Sequence, residues 1–195
     1  MRRPRRPGPS AAVAPRRPWP LPWLAGWLLL AAVLMARPAQ ARLASQSADG
    51  FVSSSTALLP LPPAAVWAAL TNWSAWWDPA HSYGGTPGTI TLEASAGGRL
   101  VERWPGGSTI HASVLTVMPP ALLRLSGGFG PLQSLPVNAV LDISLKPEAG
   151  GTRLQLVYRV GGTAADGLDT LAAPVDAVMS AGFARLVRFA TTGKP

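Results

Sequence analysis

Between Phe51 and Gly161 apolar and polar residues alternate in short runs, each closed by glycine or proline. The runs are Thr89–Ala94, Arg99–Trp104, Thr109–Met118, Ala121–Ser126, Val137–Leu145 and Thr152–Val160. Ala96-Gly97-Gly98, Pro105-Gly106-Gly107, Pro119-Pro120 and Glu148-Ala149-Gly150-Gly151 separate them, which is the pattern of strands punctuated by turns. Connections this short join antiparallel neighbours. The last run alternates most cleanly: Leu154, Leu156, Tyr158 and Val160 share one face, and Arg153, Gln155, Val157 and Arg159 the other. One face therefore meets a core and the other meets water.

Two stretches carry helical spacing instead. Pro62-Pro63 opens the first, proline being tolerated in an initial turn, and Val66, Trp67 and Leu70 give it an apolar side that ends near Asn72. The second runs from Asp169 to about Thr191 and places Leu171, Val175, Val178, Met179, Gly182, Leu186 and Phe189 on one stripe. Pro174 falls early in it, and Arg185 and Arg188 fall late, where cations complement a helix C-terminus. The order of elements is a strand, a short helix pair, about six antiparallel strands and a long C-terminal helix, an α+β arrangement. A single amphipathic helix cannot fill a wide curved sheet, so the element count predicts a cavity between the two.

Charge changes the picture at the N-terminus. Seven of the seventeen Lys and Arg residues lie in the first 37 positions, and from Arg42 onward ten basic side chains face nine acidic ones, a balance of +1. The basicity belongs to a leader, which argues against a nucleic-acid partner. Arg2, Arg3, Arg5, Arg6, Arg16 and Arg17 precede the apolar run Trp23–Ala36, and Ala39-Gln40-Ala41 follows as a small-x-small cleavage site, the layout of an export signal cut after Ala41. The alternative is an uncleaved anchor facing the extracytoplasmic side. Against it, the clean apolar core is 14 residues long, short of the roughly 20 that a span needs. The expected organisation is a signal peptide over 1–41, a linker over 42–50 and one domain over 51–193, periplasmic or secreted. The chain has no cysteine, so neither disulfides nor thiolate metal sites enter.

Candidate chemistry is sparse. Strand alternation puts Glu102 on the side of Leu100 and Trp104, and a carboxyl among such neighbours is raised in pKa by desolvation unless a partner such as Arg103 or Arg124 reaches it. A one-residue slip or a bulge would instead turn it to solvent. His81 and His111 are the only imidazoles; with no cysteine and no ligand spacing they build no zinc site. No cofactor is implied. Trp67, Trp76, Trp77, Trp104, Phe129 and Tyr158 are the large aromatic surfaces, equally suited to filling a core or lining a pocket. Adjacent residues on a regular element point to different sides, so one of Trp76 and Trp77 is expected in the core. No Gly-x-Ser-x-Gly elbow or phosphate loop occurs, and Gly127-Gly128-Phe129-Gly130 reads as a turn or an entrance loop.

Pro60-Leu61-Pro62-Pro63-Ala64-Ala65-Val66-Trp67, Trp76-Trp77-Asp78-Pro79-Ala80-His81, and Gly97-Gly98-Arg99-Leu100-Val101-Glu102-Arg103-Trp104 stand in an order and spacing that resemble the SRPBCC (START-like, helix-grip) superfamily. Met118-Pro119-Pro120 before Leu122-Leu123-Arg124-Leu125, the Gly128-Phe129-Gly130-Pro131-Leu132 turn and Gly151-Thr152-Arg153-Leu154 continue the likeness, which is nearest to the polyketide cyclase/dehydrase and chaperone-ATPase-activator branches. The resemblance implies a curved antiparallel sheet of about seven strands gripping the C-terminal helix, around a mainly apolar pocket. It also implies a small hydrophobic ligand, lipid or polyketide-like, with Trp76, Trp77, Glu102, Trp104, His111, Phe129 and Tyr158 as the residues to hold it. Two other classes fit the same sequence. One is a cyclase/dehydratase-like enzyme in which Glu102, His111 or Tyr158 moves a proton. The other is a protein-interaction module related to the chaperone activators, to which an export leader is ill suited.

Overall fold

The computed structural model describes residues 40–85 and 89–195; all but the last two positions of the expected leader lie outside them. Strands β1 (Gln40–Ser47) and β2 (Gly50–Leu59) lead to helices α1 (Pro63–Thr71) and α2 (Trp73–Trp76). Then come β3 (Ile90–Leu92), β4 (Arg99–Trp104), β5 (Gly107–Met118), β6 (Leu122–Ser126), β7 (Asn138–Glu148), β8 (Gly151–Gly161) and the long helix α3 (Leu168–Thr192). The strands make one sheet in the order β1-β2-β8-β7-β6-β5-β4-β3, antiparallel throughout.

The sheet has eight strands rather than about seven. The extra one is β1, which lies mostly in the 42–50 segment expected as a linker and pairs with β2 from Gln40 opposite Thr56 to Ser47 opposite Gly50. Arg42-Leu43-Ala44-Ser45-Gln46-Ser47 carries little apolar alternation; it is a strand because β2 offers it unpaired backbone groups.

The inner face of the sheet is apolar where alternation placed it. Leu123, Leu125, Leu141, Ile143, Leu154, Leu156 and Tyr158 are buried. Outward, Arg124 Nε donates to Asp142 Oδ1 at 2.6 Å and Arg159 Nη1 to its Oδ2 at 3.2 Å, a cross-strand cluster on the wet side. Helix α3 lies against β1, β2, α1 and α2. It is the one described helix long and apolar enough to cross a membrane by length and composition, but Leu168, Ala172, Val175, Met179, Phe183 and Leu186 are buried within this fold. Beneath it β2 presents Ser53 and Ser55, and the Ser53 hydroxyl donates to Asp176 Oδ1 at 2.5 Å. Arg185, expected to serve the helix C-terminus, instead donates from Nε to the Trp76 carbonyl at 2.8 Å and ties α3 to α2. This is the helix-grip arrangement: a curved antiparallel sheet with the long C-terminal helix packed across it.

Candidate functional site

A cavity of about 690 Å³ opens between the N-terminal half of α3, the β3–β5 end of the sheet and two loops. Pro174, Val175, Val178 and Met179 supply the helix wall, and Ile90 and Leu100 the sheet wall. Trp73 and Trp77 enter from α2 and its C-terminal end, and Phe129 and Pro131 from the loop after β6. The polar lining residues are His81, Ser82, Tyr83, His111, Gln133 and Ser134, with no Lys, Arg, Asp or Glu among them. An apolar cavity of this size with a few placed polar groups has the form of a small-molecule site.

The most ordered polar feature is built across β4 and β5. Leu100 pairs with Ala112 and Val101 with Ile110, so His111 is the extra residue of a β-bulge. The bulge sends both His111 and Ala112 inward, where strict alternation would have sent one of them to water. His111 is thereby brought to Glu102, with Nε2 2.9 Å from Oε2. The carboxyl also accepts from the Gly84 amide at 2.6 Å and the Tyr83 amide at 3.1 Å. Glu102 is fully buried and His111 is 6 % exposed. Burial pushes the Glu102 carboxyl up; the Gly84 amide, the His111 ring and the Tyr83 amide together outweigh it and hold the pKa below the ordinary glutamate value. The raised pKa expected for an unpartnered carboxyl is therefore not found, and the partner is neither Arg103 nor Arg124. Position 84 must be glycine for this contact, since a Cβ there would sit 2.9 Å from Trp104 Cβ and 3.1 Å from Glu102 Oε1.

Aromatic rings continue from this pair along the cavity. His111 stacks on Phe129 at 6.1 Å and 11° and leans on Tyr83 at 5.8 Å, and Tyr83 in turn stacks on Trp104 at 5.9 Å and 12°. Phe129 meets Trp77 at 6.5 Å, and Trp77 meets Trp73 and Trp76 at 5.9 Å each. Of the seven residues proposed from sequence, Trp77, His111 and Phe129 line the cavity. The other four stand one contact behind: Glu102 behind His111, Trp104 behind Tyr83, Trp76 behind Trp73 and Trp77, and Tyr158 behind Phe129. Both tryptophans of the adjacent pair point inward. Trp76 ends α2 and Trp77, in extended backbone (φ −64°, ψ 142°), already lies past it, so the pair does not share a regular element.

Tyr158 has a structural task. Its hydroxyl donates to the Gly127 carbonyl at 3.0 Å and accepts from the Phe129 amide at 3.1 Å, fastening the glycine-rich loop to β8. Burial pushes its phenol up, so it stays protonated near neutral pH and serves as a hydrogen-bond donor. Phe129 and Gly130 of this segment thus form cavity wall held in place from β8.

Sequence reasoning missed Trp73, Tyr83, Gln133 and the helix residues as lining. Trp73 was legible, since it stands three and four positions before Trp76 and Trp77. On α3 the cavity wall takes in Pro174, which stands outside the apolar stripe, beside Val175, Val178 and Met179. Tyr83 and Gln133 carry no periodic signal, and the bond between the Tyr83 hydroxyl and Gln133 Oε1 at 2.9 Å brings loops 50 positions apart together. Among the described residues no group of three or more His, Asp or Glu side chains could hold a metal ion.

The fold is shared with several solved structures. CalU16 from Micromonospora echinospora is 17 % identical, with a TM-score of 0.56 over 82 % of this chain and 87 % of that one. A Rhodobacter sphaeroides protein is 21 % identical, with a TM-score of 0.54 over 75 % and 95 %. A third, from Mesorhizobium loti, is 19 % identical, with a TM-score of 0.52 over 70 % and 94 %. No curated protein matches the chain. The family model described as polyketide cyclase / dehydrase and lipid transport covers residues 51–191, from the start of β2 to the last turn of α3. By that match, on a helix-grip fold common to these structures, the chain belongs to the polyketide cyclase / dehydrase and lipid transport family, of the SRPBCC type.

Proposed function

We propose that this protein is exported and holds a small hydrophobic molecule, lipid or polyketide-like, in the cavity between α3 and the sheet. The observation that carries the reading is the lining itself: about 690 Å³ walled by tryptophan, phenylalanine, proline and aliphatic side chains without a formal charge from Lys, Arg, Asp or Glu. Burying apolar surface there stabilises a complex by roughly 25 cal/mol per Å² before the costs of association. The basic leader, its apolar run and Ala39-Gln40-Ala41 support export.

The test is titration with N-phenyl-1-naphthylamine, a neutral apolar fluorophore, on protein processed by its host from the full chain, followed by displacement with long-chain and polycyclic compounds. Saturable binding with one site per chain is expected. Failure to saturate while circular dichroism shows a folded protein overturns the pocket and favours the interaction module.

One observation favours a second reading, an enzyme of the cyclase/dehydratase kind. His111 lies on the cavity wall with a buried carboxylate hydrogen-bonded to its ring, the geometry of an imidazole oriented to accept a proton. Turnover of a candidate substrate that is lost in His111→Phe, with apolar probe binding kept, would select this reading over simple binding.

A further inference from the structure

Resting on the reading of the cavity as a ligand pocket, we propose that His111, oriented by Glu102, is its polar anchor, selecting neutral aromatic ligands that carry a hydroxyl donor, phenols or enols, over hydrocarbons and carboxylates.

The direction of the anchor follows from the donors around Glu102. Both carboxyl oxygens face N–H groups: Oε1 that of Gly84, and Oε2 that of Tyr83 and the ring of His111. A carboxylate surrounded in this way accepts from Nε2–H, and in the uncharged form of the ring that tautomer leaves Nδ1 as a lone-pair acceptor. Among the described residues Nδ1 has no hydrogen-bond partner. The enclosed side-chain atoms without partners are Ser55 Oγ, Trp73 Nε1 and Ser180 Oγ; Nδ1 is not one of these sealed atoms, and the ring lines the cavity. The acceptor therefore opens on the ligand space.

Two of the other polar lining side chains, Gln133 and Ser134, are already engaged. Gln133 Oε1 accepts from the Tyr83 hydroxyl, and its Nε2 donates to Thr109 Oγ1 at 3.0 Å and the Ile110 carbonyl at 2.7 Å. Ser134 Oγ donates to the Pro131 carbonyl. Beside His81 and Ser82, which line the same cavity, His111 offers the acceptor that a buried carboxylate orients, and its complement is an O–H.

Charge decides against acids. Among the described residues no Lys or Arg lines the cavity. Arg185, on the neighbouring part of α3, already donates to the Trp76 carbonyl and lies 3.9 Å from Asp78. A ligand carboxylate would be desolvated with no counter-charge and close to the negative Glu102, which is costly in a low-dielectric site. A flat ring is favoured because Phe129 and Tyr83 flank the imidazole, giving a ligand aromatic faces beside the hydroxyl acceptor.

The experiment displaces N-phenyl-1-naphthylamine from host-processed protein with 2-naphthol, 2-methoxynaphthalene and 2-naphthoate, compounds of nearly equal size. The expected result is 2-naphthol competing at about tenfold lower concentration than either other compound, the worth of one hydrogen bond in a dry site. His111→Phe should abolish the preference, read as the ratio of the three competitors' potencies against whatever probe affinity the variant itself shows. If that variant does not fold, ¹⁵N-imidazole NMR of the wild type serves instead: Nδ1 of His111 should shift with 2-naphthol and stay unmoved with the methyl ether. Equal competition by all three compounds, tighter binding of the naphthoate, an unmoved Nδ1, or a preference that survives in His111→Phe overturns the anchor while the pocket stands. No saturable probe binding at all overturns both.

Discussion

The ring of His111 and the carboxyl of Glu102 meet at 2.9 Å on adjacent strands although they are not register partners: Glu102 faces Thr109, and His111 faces no residue of β4. A single inserted residue brings together a carboxyl and an imidazole that are both buried, joined by a hydrogen bond. It also puts an oriented imidazole on the wall of an otherwise apolar cavity. Edge loops complete the arrangement, because the amides of Tyr83 and Gly84 fill the rest of the carboxylate's hydrogen-bonding capacity.

Glu102→Gln should lower stability at about pH 7 by about 1–3 kcal/mol, because an amide nitrogen would then face one of the N–H donors that the carboxylate satisfies. The sign with pH follows from the lowered folded pKa. A depressed carboxyl pKa contributes stability that is fully present above the unfolded glutamate value, and the contribution is lost as pH falls through the folded value. Urea unfolding of both proteins should therefore show a gap near pH 7 that narrows as pH falls below the ordinary glutamate range. A gap that widens on acidification would contradict the assignment of an ionised Glu102.

Gly182→Ala tests how the helix accommodates the cavity wall. A Cβ at Gly182 would stand 2.8 Å from Cζ3 of Trp77, so the indole must move. Alanine gains close to 1 kcal/mol of helix propensity over glycine, while forcing bulk into packed surroundings costs about 1–3 kcal/mol. Net destabilisation is expected, together with weaker apolar-probe binding and altered tryptophan emission. Unchanged emission and affinity would show that Trp77 does not depend on that gap.

Tyr158→Phe removes the hydroxyl that joins the Gly127 carbonyl and the Phe129 amide. The two buried backbone groups lose a shared partner, which should cost about 1–3 kcal/mol. Amide hydrogen exchange should rise at Phe129 and its neighbours while the β7–β8 pairing stays protected. Equal protection in the two proteins would remove Tyr158 as the fastening of this loop.

Processing of the leader is read by intact mass. The expected species from the extracytoplasmic fraction begins at Arg42, which leaves most of β1 in place on β2 from Leu43 to Ser47. Full-length chain retained in the membrane fraction would replace this expectation with the anchored form.

Much of the fold was legible from period alone. Alternation located β4 at its observed bounds and β5 to β8 within about three residues at each end, because burying one face of a sheet demands polar residues on the other. The spacing of Val175, Met179, Gly182 and Leu186 marked α3 for the same reason. Strand β1 was not legible, since Arg42–Ser47 has little to bury and is held by main-chain pairing that any sequence can offer. The site divides along the same line. Sequence placed Glu102 beside Leu100 on an inward face, but an alternation argument assigns His111 and Ala112 to opposite sides, and only the β4–β5 pairing with its bulge turns both inward. Trp77 and Tyr83 likewise take their places from chain reversals and loop contacts between residues far apart in sequence, whose positions no local periodicity encodes. Local pattern determined which faces are apolar; tertiary pairing determined which few side chains meet, because register, bulges and loop docking are set by the partner strand and helix and not by the segment itself.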